Sequence, residues 1–155
     1  MKKEMRRGEK AISPEECVEV LKGGEYGVLA TMSTDGTPYG VPITYAYEDG
    51  AIYYHCATSG HKLENIEHNS AATFTVVDSV ELMAADFNTK FRSVIAFGNM
   101  SVVTDDAERQ KGLEAILTKM TPDFMDSGRK YITDAWKAVK VLKLDIDYMT
   151  GKATR

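Results

Sequence analysis

Two turn signatures constrain this chain more than any other feature. Asp35-Gly36 and Asp49-Gly50 divide residues 26–56 into three runs rich in β-branched and aromatic residues. Aspartate followed by glycine suits a tight reversal, because glycine takes positive φ without steric cost. Strands joined so tightly must run antiparallel. No glycine-rich strand-to-helix turn occurs anywhere, which argues against a doubly wound dinucleotide fold.

The rest of the chain agrees. Ser13-Pro14-Glu15-Glu16 opens a helix: Ser13 caps free backbone donors, Pro14 fits the first helical position, and Glu16 completes a capping box. This helix should end at Gly23-Gly24. Strands are expected at Tyr26–Met32, Pro38–Tyr47, Ala51–Cys56, Ala71–Val77, Phe91–Val103 (bent near Gly98) and Val141–Tyr148. Pro38 and Pro42 argue for an edge strand. A short helix fits His61–Asn69, a longer one follows Asp105 and stops at Thr121-Pro122, and another fits Tyr131–Val139. Asp78–Lys90 is compatible with strand or loop. The expectation is one domain over residues 1–155, with residues 1–12 as a flexible or partner-contacting arm. It is mainly β, an antiparallel barrel of about six strands with three or four peripheral helices.

Composition narrows the function classes. A hydrophobic fraction of 43% supports a packed core without disulfides or a structural metal. Cys17 and Cys56 match neither a zinc site nor a redox C-x-x-C pair, and the three histidines lack metal-ligand spacing, so no metal is expected. A formal net charge of -4 weighs against a general nucleic-acid binder. No apolar run reaches the length of a membrane span, and a cytoplasmic location is expected.

The segment His55-Cys56-Ala57-Thr58-Ser59-Gly60-His61-Lys62 carries the most chemistry. It lies where a strand yields to a helix. Unpaired N–H groups of a first helical turn attract anions, Thr58 and Ser59 add hydroxyl donors, and Gly60 allows close approach. Lys62 is poorly placed against the helix dipole unless an anion binds there. The same residues can also serve simply as a solvated helix start.

The sequence resembles the pyridoxamine 5'-phosphate oxidase-related, FMN-binding split-barrel family, in its nitroimidazole-resistance-like branch. The resemblance rests on Gly27-Val28-Leu29-Ala30-Thr31, Asp35-Gly36-Thr37-Pro38-Tyr39, Val41-Pro42-Ile43, Ile52 to Ala57, Gly60-His61-Lys62-Leu63, Asn65-Ile66 and Phe91 to Ile95 with Phe97-Gly98. It covers residues 5 to 103 well and the C-terminal third only in outline.

That resemblance implies an FMN-binding split β-barrel working as a homodimer, with FMN at the interface. It implies that Val41, Pro42, Ile43 and Thr44 run along the isoalloxazine ring. His55, Cys56, Ala57, Ser59, Gly60, His61 and Lys62 would hold the ribityl-phosphate arm. Arg92 and Ser93 would supply a second cation and hydroxyl at the same phosphate, so the two segments should share a cleft. Tyr131 and Trp136 would be cover from the partner chain. His55 is the candidate catalytic group, since imidazole exchanges protons near neutral pH. The implied activity is reduction of a small organic acceptor, such as a nitro compound, with NADH or NADPH as donor. The alternatives are a non-catalytic flavin binder or sensor, a haem-binding protein on the same barrel with His55 as iron ligand, and a deazaflavin in place of FMN.

Overall fold

The computed structural model describes residues 2–155. Seven strands form one sheet: β1 (Tyr26–Met32), β2 (Pro38–Thr44), β3 (Ala46–Glu48), β4 (Ala51–Cys56), β5 (Ala71–Met83), β6 (Asn88–Val102) and β7 (Lys140–Thr154). Four α-helices accompany it: α1 (Pro14–Gly23), α2 (His61–His68), α3 (Asp106–Met120) and α4 (Met125–Ala135). Every strand pairing is antiparallel.

The strand order is β2-β1-β5-β6-β7-β4-β3. Its two edge strands are consecutive in the chain, with only Tyr45 between them. A sheet whose first and last strands share one residue of connection must curl until its edges meet. The ladder stays open there, which makes this a split β-barrel. Tyr45 sits at that seam with no exposed surface, and its hydroxyl donates to the Leu21 carbonyl at 2.6 Å, tying α1 to the seam.

Strand alternation builds two cores. Leu29, Ile52, Tyr54, Phe74, Val76, Val94, Leu142 and Leu144 fill the barrel, joined by Val20 and Leu21 of α1. On the opposite face, Tyr53 and Val141 pack against Leu113 and Ile116 of α3 and Ile132 of α4. β4 therefore serves both cores, with Ile52 and Tyr54 turned inward and Tyr53 toward α3. A register shift between Phe97 and Gly98 bends β6, and a Cβ at position 98 would overlap the Asp145 carbonyl.

Several expectations change. There are seven strands rather than six, because the run Pro38–Tyr47 breaks at the seam. β5 continues through Asp78 to Met83 and pairs with the start of β6, forming a projecting hairpin. Its tip carries no glycine; Phe87 takes the left-handed conformation instead (φ 49°), so no turn signature marked it. α4 begins at Met125, ahead of Tyr131, and Gly128 lets it approach Leu117 of α3 closely. Residues 8–12 lie on this chain's own β7: Ala11 bridges Lys152, and the Ile12 N–H donates to Gly151 O at 3.1 Å. Met1 falls outside the described residues.

Candidate functional site: the corner between β4 and α2

The corner is held by one buried polar pair. Asn65 of α2 donates to the Thr31 hydroxyl of β1 at 3.1 Å, and both side chains are buried. Leu63 and Ile66 insert into the barrel core beside them. With α2 fixed on these three residues, its first turn projects at the end of β4.

Gly60 is the N-cap residue, with φ 142°, and no side chain caps the helix. A side chain at position 60 would be strained by that φ, although the surrounding space is open. The Leu63 and Glu64 N–H groups return to Gly60 O, at 3.0 and 3.2 Å. The N–H groups of His61 and Lys62 point out of the first turn as donors for an external acceptor. Residues 57–61 are exposed, so the corner is open surface rather than a closed cavity.

The corner abuts the exposed edge of the sheet. The His61 ring lies over Tyr39 of β2, with centroids 4.0 Å apart, and its Nε2 is 2.9 Å from the Ser33 hydroxyl. The helix start is therefore continuous with the beginning of β2. That strand pairs only with β1, which leaves its outer N–H and C=O groups free. Along it, Val41 and Ile43 pack inward on the barrel core, whereas Pro42 is exposed on the opposite face. Val41, Pro42, Ile43 and Thr44 thus form one edge leading away from the corner.

Lys140 of β7 is a second cation close to the end of β4. Cys56 pairs with Lys140 across β4 and β7. Burial pushes the Cys56 thiol above its ordinary value, and Lys62 and Lys140 both oppose that shift by their charge. No motif marks Lys140; only the strand pairing brings it here.

Arg92 and Ser93 do not join this corner within the chain. Arg92 pairs with Asp78, three residues beyond Thr75, which pairs with Val28 near the start of β1. The corner lies past the other end of β1, roughly 20 Å away at about 3.3 Å of rise per residue. Arg92 is also fully engaged. Its Nε and Nη2 donate to the two Asp78 carboxylate oxygens at 2.9 and 2.7 Å, and Glu16 and Glu19 lie within 3.8 Å. Those carboxylates hold its guanidinium even more firmly protonated than usual, the Asp78 hydrogen bonds first. Within one chain Arg92 fastens α1 to the β5–β6 hairpin, and it shares no cleft with Lys62 of the same chain.

His55 also faces elsewhere. On β4 it lies on the α3 side, at an apolar pocket of about 100 Å³ lined by Leu113, Leu117, Tyr131, Ile132 and Trp136. Burial against this surface holds the imidazole below its ordinary value. Trp136 is partly buried against the helical core and stacks under Arg109, whose guanidinium carbon is 4.0 Å from the ring centre. Tyr131 is largely exposed at the pocket rim. Among the described residues there is no cluster of three metal-ligating side chains, and no helix is long and apolar enough to cross a membrane.

Residues 13–153 match the sequence profile described as pyridoxamine 5'-phosphate oxidase. No curated protein sequence matches the chain. Among solved structures, a proposed 5-nitroimidazole antibiotic resistance protein from Bacteroides thetaiotaomicron is similar at 23% identity and TM-score 0.75, over 92% of this chain and 86% of that one. The flavocytochrome Anf3 from Azotobacter vinelandii gives 22% identity and TM-score 0.84, over 98% and 72%. The FAD and heme binding protein from Mycobacterium smegmatis gives 22% and 0.78, over 94% and 74%. At these identities the likeness establishes a common fold.

Proposed function

The chain belongs to the pyridoxamine 5'-phosphate oxidase family, and from that premise we propose that it binds FMN at the β4–α2 corner and serves as an oxidoreductase for a small organic acceptor. The observation that carries this reading is the uncapped first turn of α2, flanked by Lys62 and Lys140 and continuous with the free edge of β2. The parts fit the group. A dianionic phosphate finds the His61 and Lys62 N–H groups, the Ser59 hydroxyl and two ammonium groups. A flat ring finds unpaired backbone groups along Val41–Thr44. When bound, FMN supplies two-electron transfer, while the protein supplies position, charge and exclusion of water.

The corner is open on one side, and a second copy of the chain closes it. An apolar stripe supports that homodimer: Tyr26, Val28 and Val77 lie exposed on β1 and β5 and run into the hairpin bearing Leu82 and Phe87, which are 79% and 99% exposed. A reduced nicotinamide as donor and a nitro compound as acceptor follow from the family resemblance. His55 remains the residue to test for proton exchange. Its lowered pKa leaves the imidazole neutral at pH 7 and able to accept a proton.

The deciding experiment is the absorption spectrum of freshly purified protein, with mass identification of the released cofactor. Flavin bands and the mass of FMN are expected. A Soret band would replace the flavin reading with haem, which two of the similar structures make worth checking by their names. FAD or a deazaflavin would be identified by mass. A colourless protein that binds no added FMN would refute the site. Sedimentation at micromolar concentration tests the dimer, and a monomer would remove the second wall.

A further inference from the structure

At the other end of β1 lies a cleft that the flavin reading does not use. It has a volume of about 470 Å³ and is bounded by α3, β3 and the end of α1, with Lys22, Tyr47, Glu48, Lys111, Glu114 and Lys119 in its wall. Lys119 is half-buried, its Nζ 3.5 Å from the centre of the Tyr45 ring. Among the described residues its one hydrogen-bond acceptor is the Leu21 carbonyl, at a long 3.4 Å, and that oxygen already accepts the shorter bond from Tyr45.

Two of the charges around Lys119 are committed elsewhere. Lys111 pairs with Asp49 at 3.1 Å, and Glu114 pairs with Arg129 at 2.9 Å. Glu48 and Lys22 face the cleft, and among the described residues no carboxylate lies within 4.0 Å of Lys119. Three effects compete on its ammonium. The end of α3 and the face of the Tyr45 ring favour the charge, whereas loss of water disfavours it. Loss of water lowers the Lys119 pKa from 10.5 to about 8.

An amine held so, beside an open cleft, has the setting of a nucleophile. We propose that Lys119 is a carbonyl-capture site, where its amine forms a reversible Schiff base with a small aldehyde seated in the α3–β3 cleft. The neutral Nζ attacks the carbonyl carbon, and a proton passes from nitrogen to oxygen to give a carbinolamine. The C–O bond then breaks, water leaves, and a C=N bond remains; nothing is oxidised or reduced. Tyr47, Ala46 and Ala115 offer the aldehyde an apolar wall, and Lys22 gives a carboxylate on its far end a partner. The site is independent of the flavin corner, because Leu21 and Tyr45 lie beyond the Tyr26 end of β1 and the corner lies past Met32.

The test is reductive trapping of the intact protein with 4-formylbenzoate and cyanoborohydride, followed by peptide mass mapping between pH 6 and 10. Lys119 should be labelled about tenfold faster than exposed Lys22 at pH 7.4, because its lowered pKa leaves a substantial part of it unprotonated. Its rate should level off above pH 8. Lys119→Met should remove only the fast adduct. Labelling spread evenly over the lysines, or Lys119 among the slowest, would overturn the proposal. Because the decisive measurement uses the unmodified chain, poor folding of the variant cannot blur the result.

Discussion

Lys62 and Arg92 look equivalent in sequence: each is a cation near a serine, Ser59 or Ser93, in a segment of the family pattern. The fold treats them oppositely. Arg92 meets Asp78, Glu16 and Glu19, and its charge is consumed in holding α1 against the hairpin. Lys62 stands at a helix start whose N–H groups are uncapped, with Lys140 rather than a carboxylate nearby. A cation is available to a ligand only where the fold denies it an internal partner. The first region is built for stability, whereas the second is where the proposed anion would find its donors.

Breaking this contrast should produce effects of graded size. Lys62→Ala should weaken FMN binding by about 1.5–3 kcal/mol, the worth of a charge-assisted hydrogen bond, and leave the melting temperature of the cofactor-free protein unchanged. Titration calorimetry and thermal melts give both values; an unaltered Kd would remove Lys62 from the site. Arg92→Ala should do the reverse. It should cost about 1–2 kcal/mol of stability in chemical denaturation, because Asp78 loses both of its bonds, while FMN affinity stays within twofold. A large loss of affinity with little loss of stability would mean that Arg92 reaches a site across an interface.

Lys140→Ala should be milder, about 1 kcal/mol in FMN affinity, because Lys140 acts mainly through its charge. That loss should shrink as salt is raised, and a salt-independent loss would argue for direct contact instead.

The smallest effect concerns His55, which has neither a partner charge nor a ligand anion to favour its protonated form. Its folded pKa lies below the unfolded value near 6.5, so between those two values the unfolded chain binds more protons. Stability should therefore rise with pH through that window and flatten above it. His55→Gln should remove this slope, and an unchanged slope would assign it to other groups. If His55 exchanges protons in turnover, the same variant should lower kcat more than FMN affinity.

The sequence was most legible where structure is local. Ser13 accepts from the Glu16 N–H at 3.1 Å as an N-cap should, although the Glu16 carboxylate turns to Arg155 instead of closing the box, and α1 stops at Gly23 as its glycines predict. The second capping site also holds, with Asp105 accepting from the Glu108 N–H at 2.9 Å. The bend at Gly98 and the edge position of Pro38 and Pro42 were readable because only glycine fits the close approach at 98 and proline cannot donate to a second ladder. Legibility failed in the β5–β6 hairpin, whose tip uses a left-handed Phe87 instead of glycine, and at α4, whose first turn contains Gly128. Both are cases in which tertiary contacts override local preference.

By itself, then, the sequence determined the antiparallel strands, the helix starts and the glycine N-cap at Gly60. All of these depend on backbone preferences within a few residues. Which charges remain free, which strand faces α3 and which lysine stands beside Cys56 were decided only by the tertiary structure. Such matters turn on pairings between segments up to some 80 positions apart, Cys56 with Lys140 foremost, and no local pattern encodes a partner at that distance.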